Sequence, residues 1–221
     1  MGSLRPPLSI RRRLPAAERR LQLLEVAVRV FGQHGYVGAG LEEIAQKAGI
    51  SAPAMYRHYP NKKTLYLAAL AHTGERMFAE WERIVAEAPD ALSALARIGT
   101  SYQRMMRDEP HLLHMRFRAL NATEEPEVLA LAVANHKRAQ KLAGALAARA
   151  DAEGILPPGL TPAILVAGFM AWGALTDVTH HLGLHRTHDV FSKALSDLAA
   201  MFSTTGAKKS QRARAKRQGR R

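Results

Sequence analysis

The residue types best suited to chemistry crowd between positions 41 and 63, LEEIAQKAGISAPAMYRHYPNKK. Tyr56, Arg57 and His58 set three donor-bearing side chains in a row, and Lys62 and Lys63 follow closely. Such donors serve phosphate oxygens, whereas the small Ala52 and Ala54 just before them allow close approach to base edges or a thymine methyl. The grouping suits a polyanion with a readable edge. It does not suit catalysis, because the chain offers no phosphate loop, nucleophile elbow or spaced pair of catalytic carboxylates.

The elements that must hold these side chains can be read from the spacing around them. Leu41, Ile44, Ala45 and Ala48 recur at helical intervals while Glu42, Glu43, Gln46 and Lys47 fall on the wet side. Gly49 lies just past the last periodic residue, where a left-handed backbone can end the helix. Ser51 can cap the next helix through its hydroxyl, and Pro53 fits the first turn, where no N–H is missed. Two short helices joined this tightly form a helix-turn-helix, whose second helix enters the major groove by its N-terminal residues. Asn61 then begins another helix with Lys62 and Lys63 in its first turn. Cations there oppose the helix dipole unless an anion is near, and the reading assigns that anion to a DNA phosphate.

With those motifs in view, residues 21–63 resemble the DNA-binding domain of TetR/AcrR-family regulators. The resemblance rests on Phe31-Gly32-Gln33-His34-Gly35-Tyr36, then Ile44-Ala45, Ala48-Gly49-Ile50-Ser51, and Tyr56-Arg57-His58-Tyr59 with Lys62. Motif and resemblance together nominate Gly40, Ser51, Ala52, Pro53, Ala54, Tyr56, Arg57, His58 and Lys62 as the DNA-contacting set. Ala39 and Gly40 stand where the family commonly has Thr or Ser, so Gly40 caps without that hydroxyl's phosphate contact. Since Ala52, Pro53 and Ala54 bring no side-chain donor, base readout falls to methyl contacts, Arg57 or DNA shape.

Composition narrows the remaining classes. The chain has 221 residues, 47% of them hydrophobic, enough for a substantial core and one or two domains. It has no cysteine, which removes disulfides, thiolate zinc sites and cysteine nucleophiles. His111, His114, His180, His181, His185 and His188 lack a supporting carboxylate and cysteine pattern, so neither a metal nor a cofactor is expected. Arg11-Arg12-Arg13 is not followed by the apolar core of a secretory signal. The longest apolar run, residues 163–175, falls short of the ~20 residues that span a bilayer. The expectation is a cytoplasmic protein with no membrane partner.

The formal charge of +13 sits at the two ends. Residues 1–20 hold six arginines and one glutamate, residues 207–221 hold eight basic residues and no acid, and the middle balances at 18 against 18. Neither end has apolar periodicity. Residues 1–14 and 206–221 therefore read as flexible basic arms that attract DNA without base readout.

Between the arms, helical periodicity and Pro or acidic caps mark about nine helices and no strand, an all-α chain. Besides the helix-turn-helix pair, they fall near 16–34, 61–87, 91–107, 111–120, 128–152, 163–182 and 189–203. The reading divides the chain into a helix-turn-helix domain at 15–62 and a larger helical domain at 63–205. The helix count and the GILPPG loop at 154–159 before a long apolar helix are similar to the ligand-binding and dimerisation domain of the same family. The resemblance implies a ligand-responsive regulator, usually a repressor, that binds a palindromic operator as a homodimer. Val166, Phe169, Met170 and Trp172 cover much of the circumference of one helix, and Gly168, Gly173 and Ala174 allow close backbone approach. A second subunit is expected to bury part of that helix.

Met77, Trp81, Tyr102, Met106, Met115, Phe117, Phe169 and Trp172 supply adaptable and aromatic walls for a hydrophobic effector of unspecified identity, with Asp177 and His180 orienting its polar end. A fatty acyl thioester, a lipid-like acid and an aromatic drug all fit such walls. The alternative is an architectural DNA-binding protein with basic arms and no effector.

Overall fold

A computed structural model describes residues 15–120 and 125–184, and these residues form eight α-helices with no strand among them. Helix α1 (Ala16–Gly38) buries Leu23, Ala27, Val30 and Phe31 along one side. Its regular part ends after His34, as the spacing predicts, because Gly35 leaves helical geometry before one last turn. Helices α2 (Leu41–Lys47) and α3 (Ala52–His58) follow. Between them Gly49 takes a φ of 66°, open to glycine at little cost, and the chain reverses within four residues. Ser51 Oγ accepts the Ala54 N–H at 3.4 Å, whereas Gly40 at the head of α2 offers no side-chain cap.

Helix α4 (Lys62–Glu87) starts with a feature the sequence reading missed. Asn61 Oδ1 accepts the Thr64 N–H at 2.8 Å while Thr64 Oγ1 accepts the Asn61 N–H at 3.4 Å, a reciprocal capping box that fixes where the helix begins. Four more helices complete the described fold: α5 (Ala91–Asp108), α6 (Pro110–Leu120), α7 (Pro126–Ala152) and α8 (Pro162–His181). Asp90 caps α5 and Thr161 caps α8. Glu125 makes no such bond at α7, which opens on Pro126 instead. The expected ninth helix at 189–203 and the arms at 1–14 and 206–221 lie outside the described residues.

Two apolar clusters form the core, and α4 contributes to both. The first gathers Phe31, Ile44, Met55 and Leu65 but also draws in Leu112, Met115 and Ala119 of α6 and Val128 of α7. The second is built on Met77, Phe78, Trp81, Ile98, Tyr102 and Leu146 and reaches Trp172 of α8. Helix α6 thus packs directly on α1. At their crossing, a Cβ added to Gly32 would lie 2.1 Å from the His111 carbonyl oxygen, so only glycine permits the two backbones to meet this closely.

Helix α8 corrects the apolar-run argument. Residues 163–175 are part of a 20-residue helix that is long and apolar enough, by length and composition, to cross a membrane. Counting uninterrupted apolar residues stopped too early, since Thr176, Asp177 and Thr179 interrupt the run without ending the helix. Both threonines are buried, and Thr179 Oγ1 bonds back to the Leu175 carbonyl at 2.8 Å. Ile164, Leu175 and Val178 of the same helix are exposed in the single chain.

Candidate nucleic-acid interface and effector cavity

Helix α3 divides its side chains by periodicity. Met55 is fully buried and Tyr59, just past its end, is 4% exposed, so both pin the segment to α1 and α4. Arg20 reinforces this from α1, donating Nε to the Tyr59 hydroxyl at 3.1 Å with its guanidinium over the ring. The intervening Tyr56, Arg57 and His58 are left exposed. Ser51 and Pro53 are exposed too, and Gly40, Ala52, Ala54 and Lys62 partly so. None of the nine nominated residues is consumed by the core.

The two lysines differ from expectation. Lys62 Nζ donates to the Val37 carbonyl at 3.0 Å and lies 5.2 Å from the centre of the Tyr36 ring, tying the end of α1 to the start of α4. Lys63 meets Glu127 at 2.5 Å and Glu125 at 3.4 Å, and the Glu127 carboxylate holds its amine above the ordinary lysine range. The anion that the sequence reading assigned to a DNA phosphate is, for Lys63, a pair of carboxylates at the start of α7. Residues more than sixty positions away supplied it, and helix-dipole reasoning cannot see that far.

A cavity of about 110 Å³ lies among α4, α5, α6, α7 and α8. Trp81, Tyr102, Phe169, Trp172 and Asp177, five of the ten residues nominated for a ligand, line it. Met77, Met106 and Met115 are buried in the core and are absent from its wall. Phe117 and His180 belong to a separate ring cluster in which Phe117 stacks on His181 at 4.3 Å and His114 lies 5.6 Å from His180. Nominating Met115 and Phe117 together ignored that residues two apart on a helix face different ways.

The wall also holds residues that the reading passed over. Arg116, Ala119 and Leu120 stand at i, i+3 and i+4 on α6, and Ala132, Asn135, His136 and Ala139 at i, i+3, i+4 and i+7 on α7. Their helical spacing was visible in the sequence. They escaped notice because small and polar residues do not score as an apolar face.

Inside the cavity the Tyr102 hydroxyl donates to the Asp177 carboxylate in a very short contact. Burial pushes the phenol well above its usual range and raises the Asp177 carboxyl, while the Arg116 guanidinium and the Tyr102 hydrogen bond pull Asp177 the other way. Arg116 Nη1 contacts the Met77 sulfur. The Trp81 indole N–H is buried without a hydrogen-bond partner.

Residues 23–69 match the family model described as "Bacterial regulatory proteins, tetR family". A stretch of 71 residues is 51% identical to the HTH-type transcriptional activator FasR of Mycolicibacterium smegmatis. Residues 23–69 thus carry a TetR-family DNA-binding domain. The FasR match covers 31% of this chain and 32% of FasR, so it spans about a third of that relative's length. Likeness over most of the chain comes from solved structures. The FadR regulator of Bacillus subtilis, in complex with stearoyl-CoA, has a TM-score of 0.67 at 15% identity over 81% of this chain and 96% of its own. A regulator from Saccharomonospora viridis in complex with choline also scores 0.67, at 20% identity over 82% and 95%. These neighbours show the fold, a helix-turn-helix ahead of a helical domain as in TetR-family regulators. The relatives are named as transcriptional regulators, not enzymes.

Proposed function

We propose that this chain is a homodimeric, ligand-responsive DNA-binding regulator that recognises a palindromic operator from the cytoplasm. The observation that carries the reading is the division of labour along α3, where Met55 and Tyr59 anchor the segment and Tyr56, Arg57 and His58 are left to solvent. An exposed run of donors on a rigid helix can bind a polyanion without reorganising the fold. Ser51, Ala52, Pro53 and Ala54 complete the groove-facing end, and Gly40 and Lys62 flank it. The basic arms add attraction without sequence preference.

The second subunit is proposed for the exposed apolar residues of α8, since Ile164, Leu175 and Val178 cost free energy for as long as they face water. A two-fold pair would present two recognition helices to inverted half-sites. The effector is proposed for the cavity, because α6 both lines it and packs against α1. Repression is the expected sign from the family resemblance. FasR is named an activator, however, so the assay must read either direction.

The test selects DNA from a random pool with the full chain, then measures mass on and off the selected site by light scattering. An imperfect palindrome bound by two chains supports the proposal. A monomer at micromolar concentration bound to a non-palindromic site overturns it.

A further inference from the structure

Four aromatic rings in the cavity wall form a closed circuit. Trp81 lies 6.0 Å from Tyr102, Tyr102 5.7 Å from Trp172, Trp172 6.1 Å from Phe169, and Phe169 6.1 Å from Trp81, measured between ring centres. A circuit with sides of this length keeps its midpoint within about 6 Å of every ring centre, the range over which a ring attracts a cation placed over its face. Asp177, held by the Tyr102 hydroxyl, adds a carboxyl group to the same wall.

From this arrangement we propose that the cavity takes a small organic ammonium ion, with the ring circuit receiving its cationic head and Asp177 as its counter-charge. The proposal rests on the effector reading of the cavity and names the ligand class. Size limits the ligand to a compact one, since a cavity of about 110 Å³ has no room for a long acyl chain.

Among the described residues Asp177 is the one acid of the wall, beside the basic side chains of Arg116 and His136, and Arg116 already directs a donor to the Met77 sulfur. A cation finds the carboxylate and the rings together.

Three probes of nearly equal shape separate the possibilities in calorimetric titrations of the full chain at pH 7.5: tetramethylammonium, tert-butanol and pivalate. The ammonium ion should bind at least about tenfold more tightly than the neutral alcohol, and pivalate more weakly still. Asp177→Asn should erase most of that preference. Phe169→Leu, which keeps apolar volume but removes a π face, should reduce it independently if the first variant fails to fold. An alcohol that binds as well as the cation, tighter binding by pivalate, or no binding by any probe overturns the cationic assignment. Gly173→Leu tests the effector reading separately. A Cβ there meets nothing within 4 Å, and the added side chain should fill the cavity and alter operator affinity whatever charge the ligand bears.

Discussion

The helix-turn-helix and the effector cavity present polar groups in opposite ways. On α3 the donors of Tyr56, Arg57 and His58 project into water from a helix anchored by Met55 and Tyr59. In the cavity Tyr102 and Asp177 are bonded to each other, away from bulk solvent, with Arg116 close enough to shift Asp177. The first surface can meet its target as it stands, losing mainly counterions and hydration. On the proposed function the second would exchange partners when a ligand enters, which would couple binding to movement of the helices that carry those groups. Helix α6 joins the two, with Arg116 in the cavity wall and the His111 backbone against Gly32 of α1.

The largest disruption should come from that joint. Gly32→Ala forces a methyl to within 2.1 Å of the His111 carbonyl oxygen, and neither backbone can yield without moving its helix. A loss of about 2–3 kcal/mol is expected, seen as a fall in Tm of about 5–10 °C, together with weakened operator binding. Unchanged unfolding and DNA affinity would mean that α1 and α6 are not rigidly joined.

Next in size, Tyr102→Phe removes the hydroxyl that satisfies Asp177 and should cost about 1–2 kcal/mol. Thermal unfolding should register it, while DNA affinity without effector stays within about twofold. Arg57→Ala is the mirror experiment. Being exposed, Arg57 should leave Tm unchanged, but operator affinity should fall about tenfold and the salt dependence should become shallower by about one unit. If either variant affects both readouts strongly, the contrast between the two regions fails.

The smallest effect concerns pH. Burial pushes the imidazoles of His72, His111 and His114 below their ordinary range, so the native chain holds them neutral while the unfolded chain takes up protons first. Their contribution to stability is therefore complete above the ordinary imidazole value of about 6.5 and is lost as pH falls through their depressed values. Asp177 acts in the opposite sense, since its raised carboxyl is relieved by protonation at lower pH. Unfolding temperature should fall between pH 7.5 and 5.5, and His111→Asn with His114→Asn should flatten that decline. An equal decline in the double variant would exclude these imidazoles as its source.

Local rules located most of what they could reach. Gly49, Ser51 and the apolar spacing of α2 place the turn and α3 within a residue, because a cap, a left-handed glycine and a helical stripe all act over four residues or fewer. The DNA-contacting candidates were legible for the same reason, being consecutive in sequence on one short element. In the cavity, Trp81 and Tyr102 were found by their bulk. Arg116, Asn135 and His136 were not, because nothing in their neighbouring residues separates a polar group facing a cavity from one facing water.

The sequence by itself determined the helices, their caps and the run of donors on α3, since those follow from backbone and side-chain preferences over one or two turns. Only the tertiary structure decided which side chains share a wall. Tyr102 meets Asp177 across 75 positions, Lys63 finds its carboxylates at the start of α7, and Gly32 lies against His111. These pairings arise when amphipathic helices bury their apolar stripes against one another, and the resulting helix angles bring the polar residues at the stripe edges together without any local signal that they will meet.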